Sequence, residues 1–147
     1  MATTDDLLKL ENQLCFALVT AARNVVALYR PILEPLGLTH PQYLVMLALW
    51  EKAPRTLNEL AVDLALEPAT ASPLVKRLEA EGLVARQRSD EDERRLEITL
   101  TPAGVALRAR AVDVPRRVME SVGMGVDEIA ALRDGLSPFA GRRPDLG

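Results

Sequence analysis

Cys15 is the only cysteine in this sequence and the residue best suited to redox chemistry. A peroxide can oxidise a thiolate to a sulfenic acid, whereas a lone thiol cannot close an intramolecular disulfide. An apolar run follows Cys15, and a cysteine in such a setting is more often a small core hydrophobe. Composition alone therefore does not decide whether Cys15 is a reactive thiol or a packed core residue.

Tyr29 lies fourteen positions after Cys15 in a segment with helical spacing of apolar residues. On one helix the two residues share a similar face but stand about 21 Å apart, so they cannot meet within one chain. In a two-fold dimer whose first helices cross antiparallel near Ala22, Cys15 of one chain would approach Tyr29 of the other. The phenol could then hydrogen-bond a thiolate or a sulfenate.

A second group of polar and basic residues could bind nucleic acid. Two short predicted helices, 56–64 and 70–81, are joined by a tight turn and followed by a predicted hairpin, 83–88 and 96–100, which is typical of a winged helix-turn-helix. The second helix could enter a major groove, and the hairpin tip could place Arg94 or Arg95 against a minor groove. The DNA-binding candidates are Thr70, Ser72, Lys76, Arg77, Arg86, Arg88, Asp92 and Arg94.

Charge alone does not predict a nucleic-acid binder. The chain has 147 residues and a formal net charge of −3, and the stretch from Lys76 to Arg95 holds six basic and six acidic residues. A solvated hairpin is the ordinary alternative for this stretch, although Asp92 could aim Arg94. The order of the elements, rather than their charge, favours DNA binding.

The elements that would position these residues are mainly helical, as a 48% hydrophobic and 3% aromatic composition favours. A first helix is predicted over 7–33 and ended by prolines, a second begins at the capping box of Thr39 and Gln42, and a second capping box starts at Thr56. A fifth helix is predicted from Pro102 to about 122, and a sixth over 126–136. The start of the 70–81 helix stays open between residues 68 and 70, because Pro73 fits without strain only in a first turn.

These elements predict a mainly α (α+β) winged helix-turn-helix in one compact domain. Residues 1–35 and 102–137 would form a helical dimerisation region, residues 36–101 the DNA-binding region, and residues 138–147 a loose tail. No apolar run approaches the length of a membrane span and no basic signal-peptide start is present, so a cytoplasmic protein without a membrane partner is expected. With one cysteine and one histidine, no metal and no cofactor is expected.

The sequence resembles the MarR family of winged-helix regulators, and more closely the OhrR subfamily of repressors that respond to organic hydroperoxides. The resemblance runs from residue 10 to about residue 109. Its sharpest parts are Leu10-Glu11-Asn12-Gln13-Leu14-Cys15-Phe16, Tyr29-Arg30-Pro31, Leu36-Gly37-Leu38-Thr39, Pro41-Gln42-Tyr43-Leu44, Pro73-Leu74-Val75-Lys76-Arg77-Leu78-Glu79 and Asp92-Glu93-Arg94.

The resemblance implies a peroxidatic role for Cys15, contacted across the dimer by Tyr29 with Tyr43 in support, and a minor-groove role for Arg94. Val19 and His40 stand where the family usually has tyrosine. His40 could donate a hydrogen bond to the sulfur or stabilise a thiolate as a cation, or it is simply a residue near a helix start. The stretch 68–72 also departs from the family pattern, which affects the expected operator preference.

The expected function is that of a homodimeric repressor that leaves an inverted-repeat operator when an organic hydroperoxide oxidises Cys15; a low-molecular-weight thiol could then cap the sulfur. The first alternative is a MarR-type repressor induced by a small aromatic or phenolic ligand, with Cys15 merely packed. A less favoured alternative is a one-cysteine thiol peroxidase, for which the sequence offers no other catalytic residues. A DNA-binding architectural protein without a signal is disfavoured by the block around Cys15.

Overall fold

The computed structural model describes residues 1–140. A small antiparallel sheet lies in a mainly helical chain, as predicted. The helices are α1 (Thr4–Leu7), α2 (Leu14–Leu33), α3 (His40–Glu51), α4 (Leu57–Asp63), α5 (Pro68–Ala80), α6 (Pro102–Ala111), α7 (Val114–Val122) and α8 (Val126–Gly135). The strands are β1 (Arg55–Thr56), β2 (Val84–Arg88) and β3 (Leu96–Leu100), and short 3₁₀ turns lie at Leu10–Asn12, Glu34–Leu36 and Ser137–Phe139.

The first long helix starts later than predicted. The predicted helix over 7–33 is wrong at its N-terminal end, because the backbone is extended at Lys9 and Gln13. The Gln13 side-chain amide donates to the carbonyl oxygens of Leu7 and Lys9, both at 2.8 Å. This local contact stabilises a break that apolar periodicity cannot register. Pro31, predicted to help end the helix, lies inside α2.

α2 and the turn after it, through residue 36, are long and apolar enough to span a membrane by length and composition alone. The expectation that no segment approaches that length is therefore wrong. Only 11% of this stretch is buried within the single chain. A helix with so much open apolar surface needs an apolar surface from elsewhere, which a partner helix or a lipid bilayer can supply.

α3 is the centre of the hydrophobic core. Its predicted capping box is present: the Thr39 hydroxyl accepts from Gln42 N at 3.3 Å, and the Gln42 side chain accepts from Thr39 N at 2.9 Å. The helix buries residues on several sides and contacts α2, α4, α5, α6 and β3. Its buried residues are Gln42, Tyr43, Val45, Met46, Ala48 and Leu49.

α4 and α5 form the predicted helix-turn-helix. The Thr56 hydroxyl caps α4 by accepting from Glu59 N at 3.2 Å, which is the forward half of the predicted capping box; the return bond from the Thr56 backbone to the Glu59 side chain does not form. α5 begins at Pro68, which settles the open boundary, and Pro73 lies inside the helix. The turn between the helices includes Ala65 in the left-handed region, with φ 55°.

The predicted hairpin is present as β2 and β3, with Arg86 opposite Ile98. The sequence did not predict β1, whose two residues are too short for a periodicity to mark. β1 pairs with the other side of β3, so the strand order is β1-β3-β2. Its Arg55 is buried, donates to the Lys52 carbonyl at 2.7 Å and forms an ion pair with Asp63.

The predicted fifth helix is two helices, α6 and α7, which meet at residues 112 and 113. Pro115 lies in the first turn of α7, where its missing N–H removes no helical hydrogen bond; inside one continuous helix it would remove such a bond and crowd the carbonyl one turn back, so it favours the break. α8 agrees with its prediction to within one residue. The predicted loose tail begins with the 3₁₀ turn Ser137–Phe139, and residues 141–147 lie outside the described residues.

Candidate DNA interface and candidate redox site

α5 presents one polar face and buries the other. Ala71, Val75 and Leu78 are buried against the core. The four candidate DNA contacts on this helix avoid that face. Thr70, Lys76 and Arg77 are exposed and Ser72 is half-buried. The helix can therefore offer a hydroxyl and two cations to DNA without leaving the domain core.

The wing tip exposes one arginine fully. The Arg94 side chain is 97% exposed, and its Nε lies 4.0 Å from an Asp92 carboxylate oxygen. The same oxygen accepts from Arg94 N at 3.0 Å. The contact that would let Asp92 orient Arg94 is therefore present, and Arg94 projects from the end of the hairpin as a minor-groove contact requires.

The other two predicted wing arginines are engaged within the domain. Arg88 Nη1 donates to the Glu93 carbonyl at 2.8 Å, across the hairpin. Arg86 lies 3.7 Å from Glu79 on α5, with its side chain 27% exposed. Its Nε and Nη2 are buried with no hydrogen-bond partner within the described part of the chain. Arg86 therefore packs between the wing and α5 rather than pointing outward.

Arg95 is a wing residue whose contacts the sequence did not reveal. It forms an ion pair with Glu59 of α4, and its Nε lies 3.3 Å from Glu97 on β3. Glu59 precedes Arg95 by 36 residues, and no local pattern reports a contact over that separation. Of the two tip arginines, Arg94 points into solvent and Arg95 is held against carboxylates.

Cys15 is exposed in the first turn of α2. In the single chain it stands about 21 Å along the same helix from Tyr29, because fourteen residues separate them. The expectation that Cys15 is a packed core residue does not hold within one chain.

Tyr29, His40 and Tyr43 form an aromatic cluster. The rings of Tyr29 and His40 are edge-on with centroids 4.7 Å apart, and those of Tyr29 and Tyr43 are tilted at 6.0 Å. These three sequence-predicted supporting residues therefore do come together, at the far end of α2 from Cys15.

Burial sets the protonation of the aromatic cluster. It lowers the pKa of His40 from its usual 6.5, and it raises the pKa values of Tyr29 and Tyr43. At high pH, repulsion from an ionised Tyr29 raises the pKa of Tyr43 further. Near neutral pH all three rings are uncharged. The cluster is thus suited to donating hydrogen bonds, and the role of His40 as a cation is disfavoured.

Two cavities lie beside the aromatic cluster. A groove of about 890 Å³ runs along α2 to the start of α3, lined by Ala22, Arg23, Val26, Ala27, Arg30, Glu34, Gly37, Leu38, Thr39, His40 and Pro41. A smaller cavity of about 360 Å³ lies between α3 and the α6–α7 junction, lined by Tyr43, Leu47, Trp50, Glu51, Arg108, Ala111, Val112 and Pro115. Both volumes suit small organic molecules.

Exposed apolar side chains concentrate at the two ends of the chain. The N-terminal group is Leu7, Leu8, Leu10, Leu14, Phe16, Val19, Val25 and Val26, and the C-terminal group is Val112, Val126, Leu132, Leu136 and Phe139. Exposed apolar side chains in such numbers are typical of an interaction site in a folded protein.

Comparison with known proteins agrees with the fold. Residues 27–109 match the family of the transcriptional regulator SarA/Rot. The organic hydroperoxide resistance transcriptional regulator of Bacillus subtilis (strain 168) is 40% identical over 131 residues, which are 89% of this chain and 89% of that protein.

Solved structures of DNA-bound and ligand-bound regulators are also similar. Reduced AbfR bound to DNA has a TM-score of 0.73 at 35% identity over 93% of this chain and 96% of that one; AbfR of Staphylococcus epidermidis has also been solved overoxidised on DNA and with a disulfide formed. CouR from Rhodococcus jostii RHA1 bound to p-coumaroyl-CoA has a TM-score of 0.73 at 27% identity, over 90% and 94% of the two chains. The chain belongs to the MarR/SarA family of winged-helix transcriptional regulators, in its OhrR-like branch.

Proposed function

We propose that this protein is a homodimeric repressor that binds an inverted-repeat operator and leaves it when an organic hydroperoxide oxidises Cys15. The observation that carries the proposal is the exposed sulfur in the first turn of α2, on the same helix as Tyr29, which belongs to the aromatic cluster. The arrangement separates a nucleophile from its hydrogen-bond donors within one chain and suits their meeting in a dimer.

The exposed apolar surface supports the dimer. Residues 1–35 and 102–137 carry the two groups of exposed apolar side chains, except for Phe139, and burying them against a second copy would remove this surface from water. A partner helix, rather than a bilayer, then covers α2, which agrees with a regulator that acts on DNA in the cytoplasm. Residues 36–101 remain free to bind DNA.

Dimer symmetry supports the sensor geometry. Ala22 lies midway between Cys15 and Tyr29, so antiparallel α2 helices that cross near Ala22 bring each sulfur towards the aromatic cluster of the other copy. Neutral Tyr29 and His40 can donate hydrogen bonds to a thiolate or a sulfenate there. The His40 end of the groove lies away from the crossing point at Ala22 and is open to the organic part of the peroxide.

The chemistry needs one sulfur and no metal. The Cys15 thiolate attacks the outer peroxide oxygen, so that an S–O bond forms, the O–O bond breaks, and the alkoxide takes a proton and leaves as the alcohol. The sulfur is oxidised to a sulfenic acid and the peroxide is reduced. A small thiol can then condense with the sulfenic acid, releasing water and leaving a mixed disulfide. Each chain reacts once per reduction, as a switch rather than an enzyme.

On DNA, α5 enters the major groove and Arg94 reaches the minor groove, with half-sites about one helical turn apart. A bulky thiol adduct at the interface would disturb the packing of α2, which contacts α7 within the chain, and would change the spacing of the two α5 helices. A loss of about 3 kcal/mol in binding free energy would reduce affinity more than a hundredfold.

Fluorescence anisotropy on the protein's own upstream DNA tests this proposal. Cumene hydroperoxide is added to wild type and to Cys15→Ser, with and without a low-molecular-weight thiol. We expect release of wild type only, and more complete release when the thiol is present because the mixed disulfide is the bulkier product. Release of both proteins, or of neither, would refute Cys15 as the sensor.

The cavity of about 360 Å³ favours a second candidate function, repression relieved by a small aromatic ligand. This cavity is largely apolar, with Arg108 and Glu51 as charged lining residues. CouR, a regulator of similar structure, has been solved with p-coumaroyl-CoA bound. Under this function aromatic acids release wild type and Cys15→Ser from DNA equally, whereas hydroperoxides release neither.

A further inference from the structure

Arg95 ties the wing to the first helix of the helix-turn-helix. Its side chain is 47% exposed, and it pairs with Glu59 of α4 and, at 3.3 Å, with Glu97 of β3. Its backbone closes the hairpin tip as well: the Arg95 carbonyl accepts from Ser89 N at 2.8 Å, and Arg95 N donates to the Asp92 carbonyl at 2.9 Å. One residue therefore shapes the tip and anchors it.

Glu59 is free to hold Arg95 because its side chain does not serve the cap of α4. A glutamate at the third helical position usually accepts a hydrogen bond from the N-cap backbone. Here only the forward half of the capping box forms, from Glu59 N to Thr56. Thr56 itself lies in β1, opposite Glu97. The Glu59 and Glu97 carboxylates thus meet Arg95 at the junction of α4, β1 and β3.

We propose that Glu59, Arg95 and Glu97 form a wing clamp that fixes the hairpin on the helix-turn-helix and so positions Arg94 for DNA. The inference rests on the proposed DNA binding by the wing. The two carboxylates outweigh the positive charge of Arg95, so Arg95 does not attract the DNA phosphates by itself. Because partly exposed ion pairs add little to folding stability, variants of the clamp should fold, and its effect is on wing geometry.

The sign of one substitution separates the clamp from simple electrostatics. Removing an acidic side chain from a DNA-facing region normally strengthens binding, because phosphate repulsion falls. The clamp predicts the opposite for Glu59→Gln: specific operator binding weakens roughly three- to tenfold, part of what one good base contact contributes. Arg95→Gln should weaken binding by a similar factor, and the double variant by no more than either single one.

Two controls define the test. Glu91→Gln alters a carboxylate on the same hairpin that makes no ion pair among residues 1–140, and its binding should be unchanged or slightly tighter. In an Arg94→Ala background, Glu59→Gln should have no further effect, because the clamp acts through Arg94. Tighter binding by Glu59→Gln, or additive losses in either double variant, would overturn the clamp.

Amide hydrogen exchange in the free protein tests the clamp independently of DNA binding. Amide hydrogen exchange at Ser89 and Arg95 should be faster in Glu59→Gln and Arg95→Gln than in wild type and Glu91→Gln. Unchanged exchange in the first two variants would overturn the clamp. Failure of wild type to bind its operator would count against the proposed function instead, and the exchange rates would still decide the clamp.

Discussion

At the residue scale, His40 connects the aromatic cluster to pH. It is the one histidine in the sequence, and burial lowers its pKa from 6.5. The unfolded chain therefore takes up this proton before the folded chain does as pH falls. Stability is full above about pH 6.5 and declines as pH falls below it, towards the folded pKa. We expect thermal unfolding between pH 7.5 and 5.5 to shift less in His40→Asn than in wild type.

The single imidazole makes the direct measurement simple. An NMR titration of the His40 ring should have its midpoint below 6.5 in the folded protein, and a midpoint above 6.5 would contradict the proposed neutral hydrogen-bond donor. Helical spacing identified Tyr29 as a possible partner of Cys15, and the family resemblance added His40 and Tyr43. Their mutual contacts follow from the packing of α2 on α3, which no spacing within either helix reports.

At the element scale, Gly104 decides how α6 meets the wing. A Cβ at this position would clash with the Leu83 carbonyl oxygen, and the Gly104 carbonyl accepts from the Trp50 indole at 2.9 Å. The two nearest neighbours of such a Cβ are backbone atoms of Leu83, which cannot turn away as a side chain could. We expect Gly104→Ala to lower the free energy of unfolding by about 1–3 kcal/mol, the range for overpacking a well-packed site, as measured by urea denaturation.

Gly135→Ala is the matched control for that substitution. No atom of residues 1–140 beyond its own neighbourhood lies within 4 Å of a Cβ at Gly135, and alanine is the better helix former by about 1 kcal/mol. Gly135→Ala should therefore leave stability unchanged or raise it. Equal losses in the two variants would mean that chain flexibility, rather than the close approach to Leu83, explains the result.

Element boundaries show where pattern reading succeeds and fails. Thr39 and Thr56 were predicted as caps because the hydroxyl contacts its own third neighbour. The break at Gln13 depends on an amide that reaches back four and six residues, and β1 depends on β3, more than forty residues later. Rules that act over three or four residues predicted the two caps, and they missed the break at Gln13 and the strand β1.

At the scale of the whole molecule, the exposed apolar face of α2 should hold two copies together. Val26 is 41% exposed near the proposed crossing point. Val26→Asp would place a charge in that interface and should leave folding almost unchanged, because the side chain is not in the core. We expect sedimentation equilibrium to report a dimer for wild type and a monomer for Val26→Asp, with operator binding lost alongside.

Val62→Asp provides the comparison, since Val62 is an exposed valine on α4, outside the proposed interface. This variant should remain a dimer. Dimers in both variants would place the interface away from the middle of α2, and would remove the symmetry that brings Cys15 to the aromatic cluster.

The helix-turn-helix and the hairpin after it could be predicted from the sequence, because caps, turns and periodicity act over a few residues. Residue chemistry and the family resemblance singled out Cys15, Tyr29 and Arg94 as candidate site residues. Folding is what leaves Arg94 in solvent and pairs Arg86 with Glu79 and Arg95 with Glu59. These arginines carry the same charge and lie close together in the sequence, but carboxylates from distant parts of the chain pair with some of them and not with others. Which arginine is available to DNA is therefore a property of the packed chain.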